Sequence, residues 1–461
     1  MTALRDQPAE SLDTRGPAWL VPIYLIAVLV PISFHVGPLF LTTLRVLLLA
    51  VTLPLLVNTL RGRYGPVLAT DWLLLGHALW IAVALGVNNP DRVIQQAPSV
   101  GVEFLGGYVV ARAGIRSSAD MLRACRLLLL GVLLTLPFAL IEARTGTPPI
   151  IAMIRKLPVL GSVDILDMNR RLGVERVQAV FAHPIHYGLF CSVVFSMVFV
   201  AMKDQMGDLR RWIAAGAVAG CGFLALSSGA LLAIALQVGL IAWAAIFAQV
   251  AWRWWLLLGL VTTVYIAIDL LSSRSGLQVF MTYATFSAHT AYWRLTILDW
   301  GLENIWANPI FGLGLRDWVR PSWMHSDSVD NFWLLTGMRY GLPGVGLLAA
   351  GWLVQLTRLM RLDHGPGTEL GRIRTACVFT IIGLTFTLFT VHVWTNIYSF
   401  TFFVFGATAW LVQPITRTEA PEAEAPADPR RAAPIRRSGA RPAFTRFPAG
   451  TDARASLARG R

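Results

Sequence analysis

Residues 214–246 read AAGAVAGCGFLALSSGALLAIALQVGLIAWAAI, an uncharged run broken by Ser227-Ser228-Gly229. A helix needs roughly 20 apolar residues to cross the hydrocarbon core. The stretch therefore reads as parts of two crossings, 211–228 and 230–250, forming a tight hairpin or a broken pair. Working outward with the same window gives further candidate spans at 18–35, 38–58, 70–88, 95–111, 122–141, 184–202, 254–271, 330–355, 374–391 and 394–413. The expected fold is an all-α polytopic membrane protein of about 12 transmembrane helices. Two long loops, about 142–183 and 272–329, are expected to carry short interfacial helices.

Composition agrees. Of 461 residues, 55% are hydrophobic and 14% charged, against about a quarter charged in a soluble domain. This excludes a secreted disulfide scaffold, a disordered chain and a soluble nucleic-acid binder. Cys125, Cys191, Cys221 and Cys377 all sit in apolar runs without metal-like spacing and read as small core residues.

The net charge of +13 comes almost wholly from Arg, Lys156 and Lys203 being the only lysines. If residues 1–16 are cytoplasmic, the short inside loops hold Arg61, Arg63, Arg112, Arg116, Arg123, Arg126, Lys203, Arg210, Arg211, Arg253, Arg358, Arg361, Arg372 and Arg374, and the short outside loops only Arg92. That bias predicts both termini inside and the two long loops outside. Residues 18–35 lack a small-residue cleavage site, so a retained helix is expected rather than a signal peptide. The expected division is a flexible N-terminus 1–16, a membrane domain 17–413, and a basic tail 414–461 rich in Ala, Pro and Arg, read as disordered and cytoplasmic. Ten arginines against five acids would let that tail touch anionic lipid.

Four stretches carry chemistry. The first, Arg170-Arg171-Leu-Gly-Val-Glu175-Arg176 running on to His183-Pro184-Ile-His186-Tyr-Gly188, ends the first long loop. Pro184 suits the first turn of a helix. His183 and His186 share a face there, as loop polar groups or as two ligands of a metal site for which no third ligand is spaced. The second is Ser227-Ser228-Gly229, read as close helix packing, with backbone exposed at a break as the alternative. The third, Tyr292 to Gly314, mixes apolar and polar residues at helical spacing, with Trp293, Trp300 and Trp306, and ends in Asn308-Pro309 and Gly312-Leu-Gly314. It reads as an amphipathic interfacial helix followed by a turn. Arg294 there either snorkels to head groups or binds an anion. The fourth, His325-Ser-Asp327-Ser-Val-Asp330-Asn331, leads into the tenth span, where Asp and Asn also suit a helix cap.

In order and sidedness these stretches resemble the O-antigen ligase and O-antigen polymerase (Wzy-type) superfamily of bacterial envelope glycosyltransferases. The carriers are an Arg and F-x-H-P-x-x-x-G segment (Arg176 to Gly188), an R…P-x-x-G-x-G segment (Arg294, Pro309, Gly312, Gly314), and an Asn-x9-Gly-x2-Gly segment (Asn331, Gly341, Gly344). The resemblance covers about 170–410. Two features depart from it: ligases place His before that Asn, where this chain has Asp330, and many members read Ser-Arg-Gly where this chain has Ser227-Ser228-Gly229.

The resemblance implies a glycan on undecaprenyl diphosphate as donor, transferred to an acceptor sugar hydroxyl at the periplasmic face of the bacterial inner membrane. Asp330 in place of His favours a polymerase over a ligase that joins finished polymer to a lipid A core. Arg176 and Arg294, with Arg171 and Arg316 as seconds, are the expected diphosphate ligands. Asp330 is the expected general base, with His325 second and Asn331 beside it. No Asp/Glu cluster demands a metal and no P-loop is present, so neither metal nor cofactor is expected, and one carboxylate suits inversion. Membrane lipids, a flippase and a chain-length regulator are the implied partners, with no nucleic acid. A multi-pass secondary transporter is the alternative from another class, weakened by the long loops and the lack of repeated halves.

Overall fold

The computed structural model describes residues 16–413 apart from 38, 273–287 and 366. The N-terminal residues 1–15, the tail 414–461 and the loop residues 273–287 lie outside the described residues. The described part is mostly helical, and nine of its helices are long and apolar enough to span a membrane.

In chain order the helices are α1 (Leu20–Leu29), α2 (Thr43–Leu60), α3 (Ala69–Asn88), α4 (Val93–Gly114), α5 (Ser118–Thr145), α6 (Pro149–Ile154) and α7 (Pro184–Ser196), the last continued by a π turn, Met197–Ala201. Then come α8 (Asp208–Leu224), α9 (Ser228–Ile246), α10 (Arg253–Leu271), α11 (Ala288–Ala307), α12 (Phe332–Arg361), α13 (Glu369–Thr390) and α14 (Thr395–Gly406), with a final 3-10 turn, Ala409–Val412. Every expected span contains a helix. Three are not among those nine: α1 and α8 are too short, and α4 is long enough but not apolar enough.

The first span is shorter than its hydropathy suggests. α1 ends at Leu29, before Pro31, and the chain turns into an antiparallel hairpin, β1 (Ser33–Val36) and β2 (Leu39–Thr42). Proline cannot continue the helix. Apolarity alone does not separate a short β-hairpin from a helix end. Ser33 then exchanges two backbone hydrogen bonds with Gly161 of the first long loop, at 2.9 and 2.7 Å.

Two interactions set the bundle. α4 carries Arg112, fully buried and ion-paired to the buried Asp71 of α3. Arg112 also donates to the carbonyls of Tyr64 and Pro66, and Asp71 accepts from Tyr108 and from the Leu68 amide. A buried ion pair survives only when its remaining donors and acceptors are satisfied, as here. Aromatic stacking joins the last helix to the rest: Phe403 on Tyr24 at 4.6 Å and Phe405 on Trp352 at 4.4 Å between ring centroids. The four cysteines are buried thiols.

α12 is broken inside. Gly341 has φ +69° and ψ −177°, and Pro343 follows. A break at membrane depth frees backbone groups that lipid cannot satisfy. Here α3 takes them: Trp80 Nε1 donates to the Tyr340 carbonyl and His77 Nδ1 lies 2.8 Å from the Gly344 carbonyl. The segment 309–314 takes the rest. Leu342 N–H donates to the Pro309 carbonyl, Leu313 N–H to that of Met338, and Gly314 N–H to that of Arg339. The P-x-x-G-x-G and G-L-x-G spacings are thus two halves of one joint. Gly312, at φ +64°, lies too close to the Arg339 carbonyl to admit a Cβ.

Candidate functional site

The first long loop returns to the bundle through a tight turn. Arg171 and Val174 exchange both backbone hydrogen bonds at 3.0 Å, with Leu172 and Gly173 at positive φ between them. The turn places Arg171 and Arg176 on either side of it. Beyond it, Glu142 at the end of α5 accepts from the amides of Gln178 (2.8 Å) and Ala179 (2.9 Å). Gln178, buried, donates to the carbonyls of Asp164 and Phe181 and accepts from Leu166 N–H. This clamp holds the chain from Arg176 to His183. Replacing Glu142 by glutamine leaves one acceptor for two amides. It is expected to cost about 1–3 kcal/mol, read as a lower unfolding temperature in detergent, together with lost activity. An unchanged melting curve would show that the clamp does not hold the loop.

The next residues enter α7. His183 is its N-cap, its Nδ1 accepting from Ile185 N–H at 3.1 Å, and Pro184 takes the first helical position as its sequence suggests. Because Nδ1 accepts, neutral His183 carries its proton on Nε2. Burial, with Arg176 and Arg171 nearby, pushes His183 down to about 4. His183 and His186 do share a neighbour, but it is an indole: their rings lie 5.8 and 4.0 Å from that of Trp394. Among the described residues no three His, Cys, Asp or Glu side chains are arranged to hold a metal.

The Ser227-Ser228-Gly229 stretch is a broken pair. α8 ends at Leu224 and α9 starts at Ser228, with Leu226 at φ +46° between them. The break packs tightly, Gly188 of α7 fitting against Ala225, Ser227 and Ala230. It also turns carbonyls toward the loop. Leu224 accepts from Val177 N–H, and Leu226 accepts from Arg171 Nη1 at 2.7 Å.

Arg294, on α11, and Asp330, just before α12, complete the group. Burial lowers the pKa of Arg171, of Arg176 (down to about 10) and of Arg294. The Asp330 charge raises Arg176 and Arg294 again, and the Arg171 charge lowers both. Arg176 and Arg294 are thus partly desolvated guanidiniums that both feel the attraction of Asp330 and the repulsion of Arg171. The Nε of Arg176 and of Arg294 are buried without a hydrogen-bond partner among the described residues. Buried donors left unmatched in a cluster of cations suit an anionic ligand.

Three candidates stand apart from this group. Arg316 is exposed and turns to α3, donating to Asn88 Oδ1 at 2.7 Å and to the Leu313 carbonyl. His325 is exposed on the loop beside Asp317, Trp318 and Arg320. Four residues of irregular chain separate it from Asp330. Asn331 caps α12, its Oδ1 accepting from Leu334 N–H at 3.0 Å, so that acceptor is engaged structurally.

Two residues escaped the sequence reading. His392 falls between the expected spans 374–391 and 394–413 and Trp394 at the start of the second, and both lie in the link between α13 and α14. Phe332 N–H donates to the Val391 carbonyl at 3.1 Å and ties this link to the start of α12, two residues from Asp330. A His and a Trp alternating with valines at the junction of two spans were the available signal.

Residues 213–349 match the model of a family described as O-antigen ligase. The chain is similar to that family over these residues, well under half of its length. The match supports the O-antigen ligase and polymerase superfamily and implies lipid-linked glycan substrates. No curated protein matches the chain. The matched segment contains the helix break at 226–229, Arg294, Asp330 and the glycine joint. Arg171, Arg176, His183 and Trp394 lie outside it, and Arg171 meets it through its hydrogen bond to the Leu226 carbonyl.

Proposed function

We propose that this protein transfers a glycan from undecaprenyl diphosphate to a sugar hydroxyl at the periplasmic face of the inner membrane, and that it acts as a polymerase. The observation that carries the reading is that Arg176 and Arg294 share the influence of Asp330 and of Arg171, with unmatched buried Nε donors. A diphosphate supplies the missing acceptors, and a guanidinium stays charged when partly desolvated. Asp330 takes the proton of the acceptor hydroxyl as its oxygen attacks the anomeric carbon. The bond from that carbon to the diphosphate oxygen breaks, with inversion. Undecaprenyl diphosphate leaves with its charge held by the arginines. The many arginines on the opposite loops support both ends of the bundle being cytoplasmic. A flippase and a chain-length regulator would work alongside.

The ligase reading is supported by the family description and opposed by Asp330 standing at the ligase histidine position. Deleting the gene and sizing the surface polysaccharide separates the two. Single repeat units, restored to long chains by wild type but not by Asp330→Ala, are expected. Full-length polymer stranded on its lipid carrier would replace the polymerase with a ligase. Unchanged glycans would end both readings and bring forward a transporter.

A further inference from the structure

Beside the arginine cluster lies a wall of different chemistry. The link Val391-His392-Val393-Trp394 buries Val391 and Val393 in the core and leaves His392 and Trp394 half-buried. In extended chain, alternate side chains point to opposite sides, so the two rings share one face. They stack at 5.6 Å and 24°. His183 meets Trp394 from the start of α7 at 5.8 Å, and His186 lies beneath it at 4.0 Å.

This link is held firmly. Thr395, which follows Trp394, has φ +53°. A β-branched residue in that region is strained, and such strain concentrates at functional sites. Asn396 Nδ2 donates to the Val28 carbonyl at 3.0 Å, and the Val391 carbonyl is bonded to Phe332 N–H. The wall is also uncharged. Burial keeps His183 at about 4 and His392 at about 3, the latter also opposed by Arg339. His392 Nδ1 is buried and without a hydrogen-bond partner among the described residues.

A flat neutral aromatic surface with imidazole nitrogens at its edge does not bind phosphate. It matches a pyranose, which offers an apolar C–H face to an indole and hydroxyls to ring nitrogens. We propose that Trp394, His392 and His183 form the subsite for the sugar ring attached to the donor diphosphate, with Trp394 as its stacking platform. The proposal rests on the glycan-transfer reading above and adds where the sugar sits. The arginines grip the diphosphate, the wall orients the first sugar, and its anomeric carbon lies between them and Asp330.

The test compares two lipids on the full chain in nanodiscs: sugar-free undecaprenyl diphosphate, and the lipid-linked glycan extracted from the producing cell's membranes. Trp394→Ala is expected to bind the sugar-free lipid within about twofold of wild type and the glycan-bearing lipid about tenfold more weakly. Trp394→Phe should recover most of that loss, and Arg176→Ala should weaken both lipids alike. If Trp394→Ala fails to fold, His392→Ala carries the same expectation. Equal loss for both lipids, or loss for neither, overturns the subsite while leaving glycan transfer intact. Wild type binding neither lipid overturns both.

Discussion

Arg294→Ala is expected to lower turnover of the lipid-linked donor by about 10²–10³-fold without lowering the unfolding temperature. The two halves have one cause. Arg294 is partly desolvated, its Nε is buried without a partner among the described residues, and Arg171 repels it. Only Asp330 offsets this in the unliganded fold. Removing the side chain therefore removes an electrostatic liability, and stability should hold or rise, the usual trade between stability and activity. In the proposed reaction, activity falls because negative charge grows on the leaving diphosphate as the glycosidic bond breaks, and a preorganised cation there costs no reorganisation. Arg294→Lys should fall between, keeping the charge but losing the fork that matches two phosphate oxygens. Turnover and melting measured on the same preparation decide the matter. Retention of activity within about threefold would remove Arg294 from diphosphate binding, and a collapsed melting temperature would make it a structural residue.

Gly341→Ala should destabilise the protein by at least about 3 kcal/mol, more than any surface change. Two costs add. A residue with a side chain is strained at φ +69° and ψ −177°. A Cβ there would also stand 2.1 Å from the Ile310 carbonyl oxygen and 2.7 Å from that of Pro309, and backbone cannot move aside as a flexible side chain would. Relief requires α12 to straighten, which breaks the bond from Leu342 N–H to Pro309 and leaves the 309–314 segment undocked. The control is Gly346→Ala, on the same helix with nothing within 4 Å of its Cβ position. That change should be neutral, or stabilising by about 0.5–1 kcal/mol. Melting of both variants in detergent compares them directly. Equal effects would mean that the break in α12 is not enforced by contact.

Much was readable along the chain because it depends on neighbours in sequence. Apolar runs long enough for a bilayer located a helix at every expected span. Pro184 after His183, and Asn331 before an apolar run, marked the starts of α7 and α12, where the structure has a capped helix at each. Asn308-Pro309 marked the end of α11, which closes at Ala307. The hairpin at 33–42 was missed for the same reason, since a local window sees its apolarity and not its pairing with Gly161.

The sequence by itself determined a multi-span helical chain, its breaks and caps, and the residues able to bind an anion. Only the tertiary structure decided which of those meet. Arg171, Arg176, Arg294 and Asp330 come from three segments, and the Glu142 clamp, the carbonyl of Leu226 and the Val391 link bring them to one place. Arg316 and His325 have equally suitable chemistry but are carried elsewhere by Asn88 and by the exposed loop. Hydropathy and helix signals act over a few turns of chain. Convergence of charges more than a hundred residues apart depends on how helix faces fit, and no local pattern records that fit.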